Sequence, residues 1–314
     1  MEFDGLDTGE RLYDVGGERP HDAADTLIES SLTVVPEGPP PYISPSSAST
    51  FRSCPRRWKF RYLDRLADPA GEAALAGTFA HRVLELLCQA PAEERTLETA
   101  RQLARDVWPE TLEDPDFAAL EFDEKDQRRF RWLSWTAIEG LWRLEDPAQV
   151  TVEATEQKID TVLDDVPFRG VVDRLDRTGA DADAGLIVVD YKSGRAPSAR
   201  FQDARLEQVL LYSAAIEAST GRRPQAARLL YLGQCIIETE VTAELIESAV
   251  VALTDTWEQM GACIDADEFG PNPGPLCGWC PYADQCPEGL EELTLRNASG
   301  RIRSSAPALQ FLVA

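Results

Sequence analysis

Hydrophobic spacing divides the chain into a mainly helical first part and a second part rich in strands. From about residue 150, β-branched and other apolar residues alternate with polar ones, which is typical of strands with one buried face. The runs with this spacing are 150–162, 166–177, 186–192, 227–232 and 235–241. The first three follow one another with no helix between them, so we predict that they form a meander.

Helices are predicted before and between these strands. Ser44, just before Pro45, or Ser46 and Ser47, just after it, can cap a helical segment that reaches about residue 66. Further helical segments are expected over 75–88, about 97–144, about 204–219 and 243 to about 264. This order is typical of α/β or α+β proteins, and we predict an α/β fold with one central mixed β-sheet flanked by helices.

Composition indicates where folding begins and ends. Residues 1–41 are acidic, contain glycine and proline, and end in three consecutive prolines, so we predict a mostly disordered leader. Residues 42–292 are expected to form one domain, with a helical insertion over about 91–148. Residues 293–314 carry little pattern and are expected to be a tail.

The 314-residue chain has a formal charge of −24, which argues against a general basic coat for nucleic acid because phosphate binding depends on clustered Lys and Arg. One local strip differs, since residues 51–65 contain six basic side chains and a single acid, Asp64. The candidates for a phosphate contact are Arg52, Arg56, Arg57, Lys59 and Arg61. The alternative is an ordinary solvated helix face.

No run approaches the roughly 18 apolar residues that a membrane helix needs, and the acidic first residues lack the regions of a signal peptide. We therefore expect a cytoplasmic protein without membrane contact. In that compartment the seven cysteines are expected to be thiols or metal ligands rather than disulfides. Cys88, Cys235 and Cys263 stand singly in apolar surroundings, as buried structural cysteines do.

Acidic residues and a lysine recur at the ends of two neighbouring strand runs. In 186–192 the period of two puts Asp190 and Lys192 on one face, and the preceding apolar run ends in Asp173. Pairing of these runs can bring Asp173 beside Asp190, where two carboxylates repel unless a cation lies between them. Oxygen ligands favour Mg²⁺ or Mn²⁺. The alternative is a salt bridge between Asp190 and Lys192 at the end of a strand.

Hydrolysis of a phosphodiester needs such a set of groups. A divalent cation acidifies water and stabilises the charge that grows on the phosphate, and the compact ammonium of Lys192 can orient the water. His81, one of two histidines, lies four residues before Glu85 on a predicted helix and is a candidate metal ligand. Gln208 and Tyr212 share the same spacing on a later helix, where they can contact a substrate or simply pack.

These residues form four ordered motifs: Gly77-x-x-x-His81, Gly170-x-x-Asp173, Asp190-Tyr191-Lys192 and Gln208-x-x-x-Tyr212. In this order they resemble RecB-family nucleases of the PD-(D/E)XK superfamily. The resemblance covers roughly residues 44–287 and implies a restriction-endonuclease-like core. It also implies that His81, Asp173 and Asp190 bind the metal, that Lys192 assists catalysis, and that Gln208 and Tyr212 complete the site. A glutamate of the preceding strand belongs to the family pattern, and Glu153 and Glu156 both compete for it.

Four other cysteines have metal-site spacing. Cys277, Cys280 and Cys286 form a C-x2-C-x5-C set among prolines and glycines, and Cys54 is the candidate fourth ligand. A C-x2-C pair alone is also typical of zinc. The split arrangement, one cysteine before the core and three after it, is similar to the iron–sulfur members of the same family, which include AddB-type and CRISPR-associated adaptation nucleases. The resemblance implies a [4Fe–4S] cluster that clasps residue 54 to residues 277–286.

Together these features predict a metal-dependent DNA nuclease, acting on single strands or duplex ends in repair or recombination, with a helicase or repair protein as a candidate partner. The alternative is a non-catalytic DNA-binding iron–sulfur module of a helicase or repair complex. A zinc-stabilised interaction protein is a third hypothesis. The sequence contains no G-x-x-x-x-G-K-[ST] phosphate loop, so it lacks that machinery for unwinding DNA.

Overall fold

The computed structural model describes residues 38–179, 181 and 184–312, and its five strands form one mixed sheet in the order β1-β2-β3-β4-β5. The strands are β1 (Thr151–Leu163), β2 (Val166–Arg177), β3 (Leu186–Lys192), β4 (Ala226–Tyr231) and β5 (Cys235–Glu240). Neighbouring strands are antiparallel except β3 and β4, which run parallel. The predicted meander is therefore β1-β2-β3.

Turn chemistry fixes these connections. Asp164 and Asp165, with φ of 46° and 64°, join β1 to β2, and two left-handed residues match the twist of a hairpin. The parallel step from β3 to β4 requires a crossover, which helix α7 (Asp203–Thr220) provides. Gly221 ends α7 with φ of 72°, a conformation that favours glycine.

The helical segment predicted to reach residue 66 is two helices, α1 (Pro45–Ser53) and α2 (Pro55–Tyr62). Ser44 caps α1, since its side chain accepts a hydrogen bond from the backbone N–H of Ser47. Cys54 separates the helices with φ −165° and ψ 106°, because a residue before proline is driven out of the helical region. The break places Cys54 at a corner of the chain.

Helices cover both faces of the sheet. The other helices are α3 (Glu72–Gln89), α4 (Leu97–Glu113), α5 (Pro115–Ala118), α6 (Glu124–Gly140), α8 (Ala243–Ala266) and α9 (Pro287–Ala298). Leu186 and Val188 of β3 pack in a core with α1, α7 and α8, whereas Ile187 and Val189 pack in a second core with α3 to α6. This alternation places Asp190 on the α7 side.

The C-terminal segment, which the sequence assigns to a tail from residue 293, contains helical structure as far as residue 312. The boundary falls inside α9, and Leu293 is completely buried in a small core with Ala283 and Ala308. Serine, glycine and proline within residues 299–307 separate its apolar residues, so no single periodic pattern spans the segment.

The fold class predicted from the sequence, α/β with a central mixed sheet flanked by helices, is confirmed. Ile43 pairs with Phe168, so ordered packing has begun by residue 43. The predicted leader, 1–41, lies outside the described residues except for 38–41. Among the described helices, none is long and apolar enough to cross a membrane.

We expect Trp58→Ala to lower the free energy of unfolding by about 3–5 kcal/mol. Trp58 is completely buried, donates its indole N–H to Ser47 at 2.9 Å and packs against Phe51 and Phe269. Chemical denaturation measures the change. Trp132→Ala is the matched control, because Trp132 is 64% exposed and its loss should change stability by about 0.5 kcal/mol or less. Equal effects of the two substitutions would refute this account of the core.

Candidate functional site

Three carboxylates stand at one level of the sheet, on three neighbouring strands. Thr155 pairs with Arg174 and Gln157 with Val172, so Glu156 of β1 lies opposite Asp173 of β2. The last pair between β2 and β3 is Arg174 with Val189, and the neighbouring positions, Asp173 and Asp190, lie just beyond this pair. Beyond that pair, the backbone N–H of Tyr191 donates a hydrogen bond to Asp173 Oδ2, with an N···O distance of 2.7 Å. The strands therefore separate where the acids lie.

Glu156, not Glu153, belongs to this row. Glu153 lies at a register shift of β1 and pairs with Arg177 at 3.4 Å. Glu156 has a left-handed backbone, with φ of 46°, which is uncommon for a non-glycine residue and costs free energy in a strand. The sequence left both residues open because alternation alone does not reveal a shift of register.

Helix α3 brings His81 to the row. Its Nδ1 lies 3.4 Å from Asp173 Oδ2, and its ring packs edge-on against Tyr191 with the centroids 5.8 Å apart. Burial lowers the pKa of His81, but the hydrogen bond to Asp173 and the charges of Asp173 and Asp190 outweigh burial, so the pKa is raised. The contact with Asp173 thus fixes the position of the His81 imidazole.

His81, Glu156 and Asp173 each offer one ligand atom, and these atoms lie within 4.8 Å of one another. Burial, and then the charges of Asp173 and Glu85, raise the pKa of Glu156 to about 7. Burial, and then Asp173, raise the pKa of Asp190 to about 6. Repulsion of this kind is relieved by a cation, and carboxylate oxygens with an imidazole suit a divalent ion. The donor set fits a metal ion.

Asp190 lies beside this group, in a cluster with Lys192 and Gln208. Lys192 Nζ is 2.6 Å from Asp190 Oδ2 and donates to Gln208 Oε1 at 3.0 Å. Gln208 Nε2 donates to Asp190 Oδ1 at 2.8 Å and to the Tyr212 hydroxyl at 3.1 Å. Asp190 Oδ2 is buried and forms an ion pair with the Lys192 ammonium. A carboxylate oxygen has a second lone pair, so this atom keeps capacity for a further ligand.

Two glycines of the sequence motifs allow close approach at this cluster. A Cβ on Gly77 of α3 would lie 2.8 Å from Ser193 Oγ, directly after Lys192. A Cβ on Gly170 of β2 would lie 2.6 Å from the ring of Tyr212. Any side chain at Gly170 would push that ring away from Gln208.

A buried ionic network supports the site from the α3 side, and sequence reasoning missed it. Arg174 is completely buried; it donates to the Tyr191 hydroxyl at 2.7 Å and to Glu145 at 2.6 Å, and it pairs with Asp176. Its aliphatic neighbours and the period of two placed Arg174 and Asp176 on a buried face of β2. Two opposite charges on a strand face that is otherwise apolar indicate a buried ion pair, and this was the signal available in the sequence.

The four cysteines of the predicted clasp line one cavity of about 230 Å³, between the corner at Cys54 and the segment 271–289. Burial raises the pKa of Cys280 and of Cys286, and Cys54 contributes to both shifts. The backbone N–H groups of Gly274 and Gly289 donate to the sulfurs of Cys277 and Cys286, each at 3.4 Å. The four thiols thus lie around one cavity, and backbone N–H groups donate hydrogen bonds to two of them.

The spacing of the four sulfurs can be compared with that of a closed zinc site. In a tetrahedral zinc site with Zn–S bonds of about 2.3 Å, the sulfurs lie about 3.8 Å apart. Among the described residues, no three of these cysteines have sulfurs mutually within 4.8 Å. The sulfurs are therefore not drawn together as a bound zinc ion would hold them.

The basic strip differs from its sequence-based expectation, because its members are paired. The pairs are Arg52 with Glu207, Arg56 with Glu288, Arg57 and Arg61 with Asp68, and Lys59 with Asp64, at 2.5–3.7 Å. Glu207 and Glu288 are distant in sequence, so a local count of charges could not include them. The strip is therefore partly neutralised and carries less net positive charge than a count over residues 51–65 indicates.

Comparisons with known proteins identify relatives of the chain. A family model described as PD-(D/E)XK nuclease superfamily matches residues 42–287, and the mixed sheet flanked by helices is consistent with the restriction-endonuclease-like core of such proteins. The chain is also similar to a solved structure described as "Putative exonuclease" from Eubacterium rectale, with 15% identity and a TM-score of 0.48, over 76% of this chain and 86% of that one. No curated protein matches.

We expect Glu156→Gln to weaken Mn²⁺ binding at least about 10-fold, because even groups that only support metal ligands contribute about 10- to 100-fold to affinity. Glu153→Gln is the matched control, since it removes the same charge from the same strand, outside the group of three. Calorimetric titration of the purified chain measures both. If Glu153→Gln weakened binding as much as Glu156→Gln, the assignment of Glu156 to the site would be wrong.

Proposed function

Because the chain belongs to the PD-(D/E)XK nuclease superfamily, we propose that it is a Mg²⁺- or Mn²⁺-dependent deoxyribonuclease of the RecB family. The proposed reaction is hydrolysis of phosphodiester bonds in single strands or duplex ends, as an exonuclease of DNA repair or recombination in the cytoplasm. The observation that carries this proposal is the row of Glu156, Asp173 and Asp190 with Lys192 beside it. A structural salt bridge alone does not need three acids facing one another.

In this proposal His81, Glu156, Asp173 and Asp190 hold the divalent ion. The ion supplies positive charge for the phosphate and lowers the pKa of water. His81 is fixed for this role by its contact with Asp173, and Asp173 by the N–H of Tyr191. Both ligands are therefore oriented by the protein before any substrate arrives, which reduces the reorganisation that the reaction requires.

Lys192 is proposed to hold and orient the attacking water and to offset charge on the phosphate. Its ammonium contacts Asp190 and Gln208, so its position is fixed from two sides. Gln208 and Tyr212 are joined by a hydrogen bond at 3.1 Å. Gln208 positions Lys192 and Asp190, and the Tyr212 hydroxyl is proposed to contact the substrate backbone.

We further propose that Cys54, Cys277, Cys280 and Cys286 hold a [4Fe–4S] cluster that acts as a structural clasp. The four cysteines line one cavity, and backbone N–H groups donate to two of the sulfurs, which supports a shared metal site. The order of the cysteines, one before the core and three after it, resembles the iron–sulfur members of the family and is the reason for preferring the cluster to zinc. A link between residues 54 and 277 closes a loop of roughly 220 residues, and in the chain-entropy account such closure stabilises a fold by about 5 kcal/mol.

DNA contact through the basic strip, and association with a helicase or another repair protein, belong to the same proposal. The ion pairs of Arg52, Arg56, Arg57, Lys59 and Arg61 are partly exposed. Exposed pairs contribute roughly 0–1 kcal/mol, so some of these side chains can exchange a carboxylate for a phosphate.

We expect Asp190→Ala and Lys192→Ala to lower cleavage of end-labelled DNA by at least about 100-fold, while the brown absorbance of the cluster remains. Lys158→Ala, which removes an exposed lysine of β1, is the matched control and should cleave normally. Substrates labelled at either end show the direction of digestion. Wild-type protein that leaves DNA intact with both Mg²⁺ and Mn²⁺ would refute the nuclease, and binding without cleavage would favour a non-catalytic DNA-binding module.

We expect anaerobically purified protein to contain iron and acid-labile sulfide, and Cys54→Ser and Cys286→Ser to lose both. Cys235→Ser should retain them, because Cys235 lies in β5, outside the cavity. Metal analysis with the visible spectrum measures the content. Zinc without iron would overturn the cluster in favour of a zinc-stabilised protein.

A further inference from the structure

A polar groove of about 360 Å³ lies between α1 and α7. At one side it is lined by Gln208, which contacts Asp190 and Lys192. At the other side it is lined by Ser53, which also lines the cysteine cavity. The groove therefore adjoins both the group of Asp190, Lys192 and Gln208, here called the catalytic cluster, and the proposed cysteine clasp. Most residues that line the groove belong to neither site.

Arg205 brings a cation into this groove, on the helix face that serves the catalytic cluster. Arg205, Gln208 and Tyr212 are spaced by three and four residues along α7, so they share one face. A rise of about 1.5 Å per residue places Arg205 about 4.5 Å along the helix axis before Gln208, slightly less than one turn. Its side chain is exposed, and within the described part of the chain it has no carboxylate partner.

The other two charged side chains that line the groove, Arg52 and Glu207, pair with each other. Arg52 pairs with Glu207 at 2.5 Å and also donates to Thr256 Oγ1 at 2.6 Å and to the backbone oxygen of Ala252 at 2.8 Å. Arg52 is thereby fixed, and Glu207 repels an anion less than a solitary carboxylate would. Arg205 is the cation that remains for a ligand in this groove.

Hydroxyl groups of α1 face Arg205 across the groove. Ser46 and Ser49 are exposed, lie three residues apart, and line the groove on the side of α1. An arginine with serine hydroxyls is a typical donor set for backbone phosphate, which carries no sequence information. The lining thus matches the sugar–phosphate backbone of DNA.

We propose that Arg205, with Ser46 and Ser49, binds the backbone phosphate next to the scissile one, on the stretch of DNA strand between the catalytic cluster and the cysteine cavity. The inference rests on the proposed nuclease function and adds a subsite to it. Arg205 positions the strand and does not touch the reacting atoms. Its loss should weaken binding of a strand without slowing hydrolysis of a substrate that has one phosphodiester.

Two substrates and two binding measurements test the subsite. Arg205→Ala should raise KM for a single-stranded oligonucleotide about 10-fold and leave kcat/KM unchanged for thymidine 5′-(p-nitrophenyl phosphate), which has no neighbouring phosphate. In the inactive Lys192→Ala background, Arg205→Ala should weaken oligonucleotide binding by a similar factor and reduce the salt dependence by about one charge. Arg205→Lys should restore part of the binding, and Ser49→Asp should weaken it.

Arg223→Ala is the matched control, because Arg223 pairs with Glu217 at the far end of α7, and it should change neither substrate. Equal binding and KM for the Arg205 and Arg223 variants would overturn the subsite, as would a loss of turnover on the small substrate. If the wild type hydrolyses neither substrate, the proposed function fails, while the binding measurements still decide for or against a phosphate site at Arg205.

Discussion

Repulsion among carboxylates held at one level of the sheet is the constraint on which the site depends. Glu156, Asp173 and Asp190 stand on adjacent strands. The strand pairing next to them and the hydrogen bond from the Tyr191 N–H to Asp173 limit how far they can move apart. Burial, and then the charge of Asp173, raise the pKa of Glu156 to about 7 and the pKa of Asp190 to about 6. Lys192 and His81 offset part of this charge within the protein. A bound divalent cation would offset the remainder of this charge.

On the face of β2 and β3 that packs against α3, a buried cation, Arg174, is surrounded by hydrogen-bond acceptors. Arg174 follows Asp173 directly and contacts Tyr191, which follows Asp190 directly. Buried ion pairs add little net stability compared with apolar packing, so the consequence of this network is geometric. It joins β2 to β3 immediately behind the acids and holds the Tyr191 ring against which His81 packs. Strand positions at the site are thereby fixed from both faces of the sheet.

Alternation and helical spacing were sufficient to predict the five strands, the crossover helix and the fold class, because those patterns follow from burial of one face. They were insufficient where backbone geometry departs from regularity. Glu156 was not separable from Glu153, since a register shift in β1 decides between them. The helix expected to reach residue 66 breaks at Cys54, although Pro55 was the signal for it. Partners from distant segments, such as Glu207 and Glu288 for the basic strip, are invisible to any local count of charges.

The helix break at Cys54 links the proposed cysteine clasp to the groove beside the catalytic residues. Cys54 ends α1 and begins α2, so a cluster bound there would fix the corner of these helices against the segment 271–289. Helix α1 is also held to α7 and α8, through the contacts of Arg52 with Glu207, Thr256 and Ala252. The exposed face of α1 then forms one wall of the groove beside Gln208. A clasp far from the carboxylates in sequence would therefore determine the width of the path by which a strand reaches them, without contacting the reacting atoms.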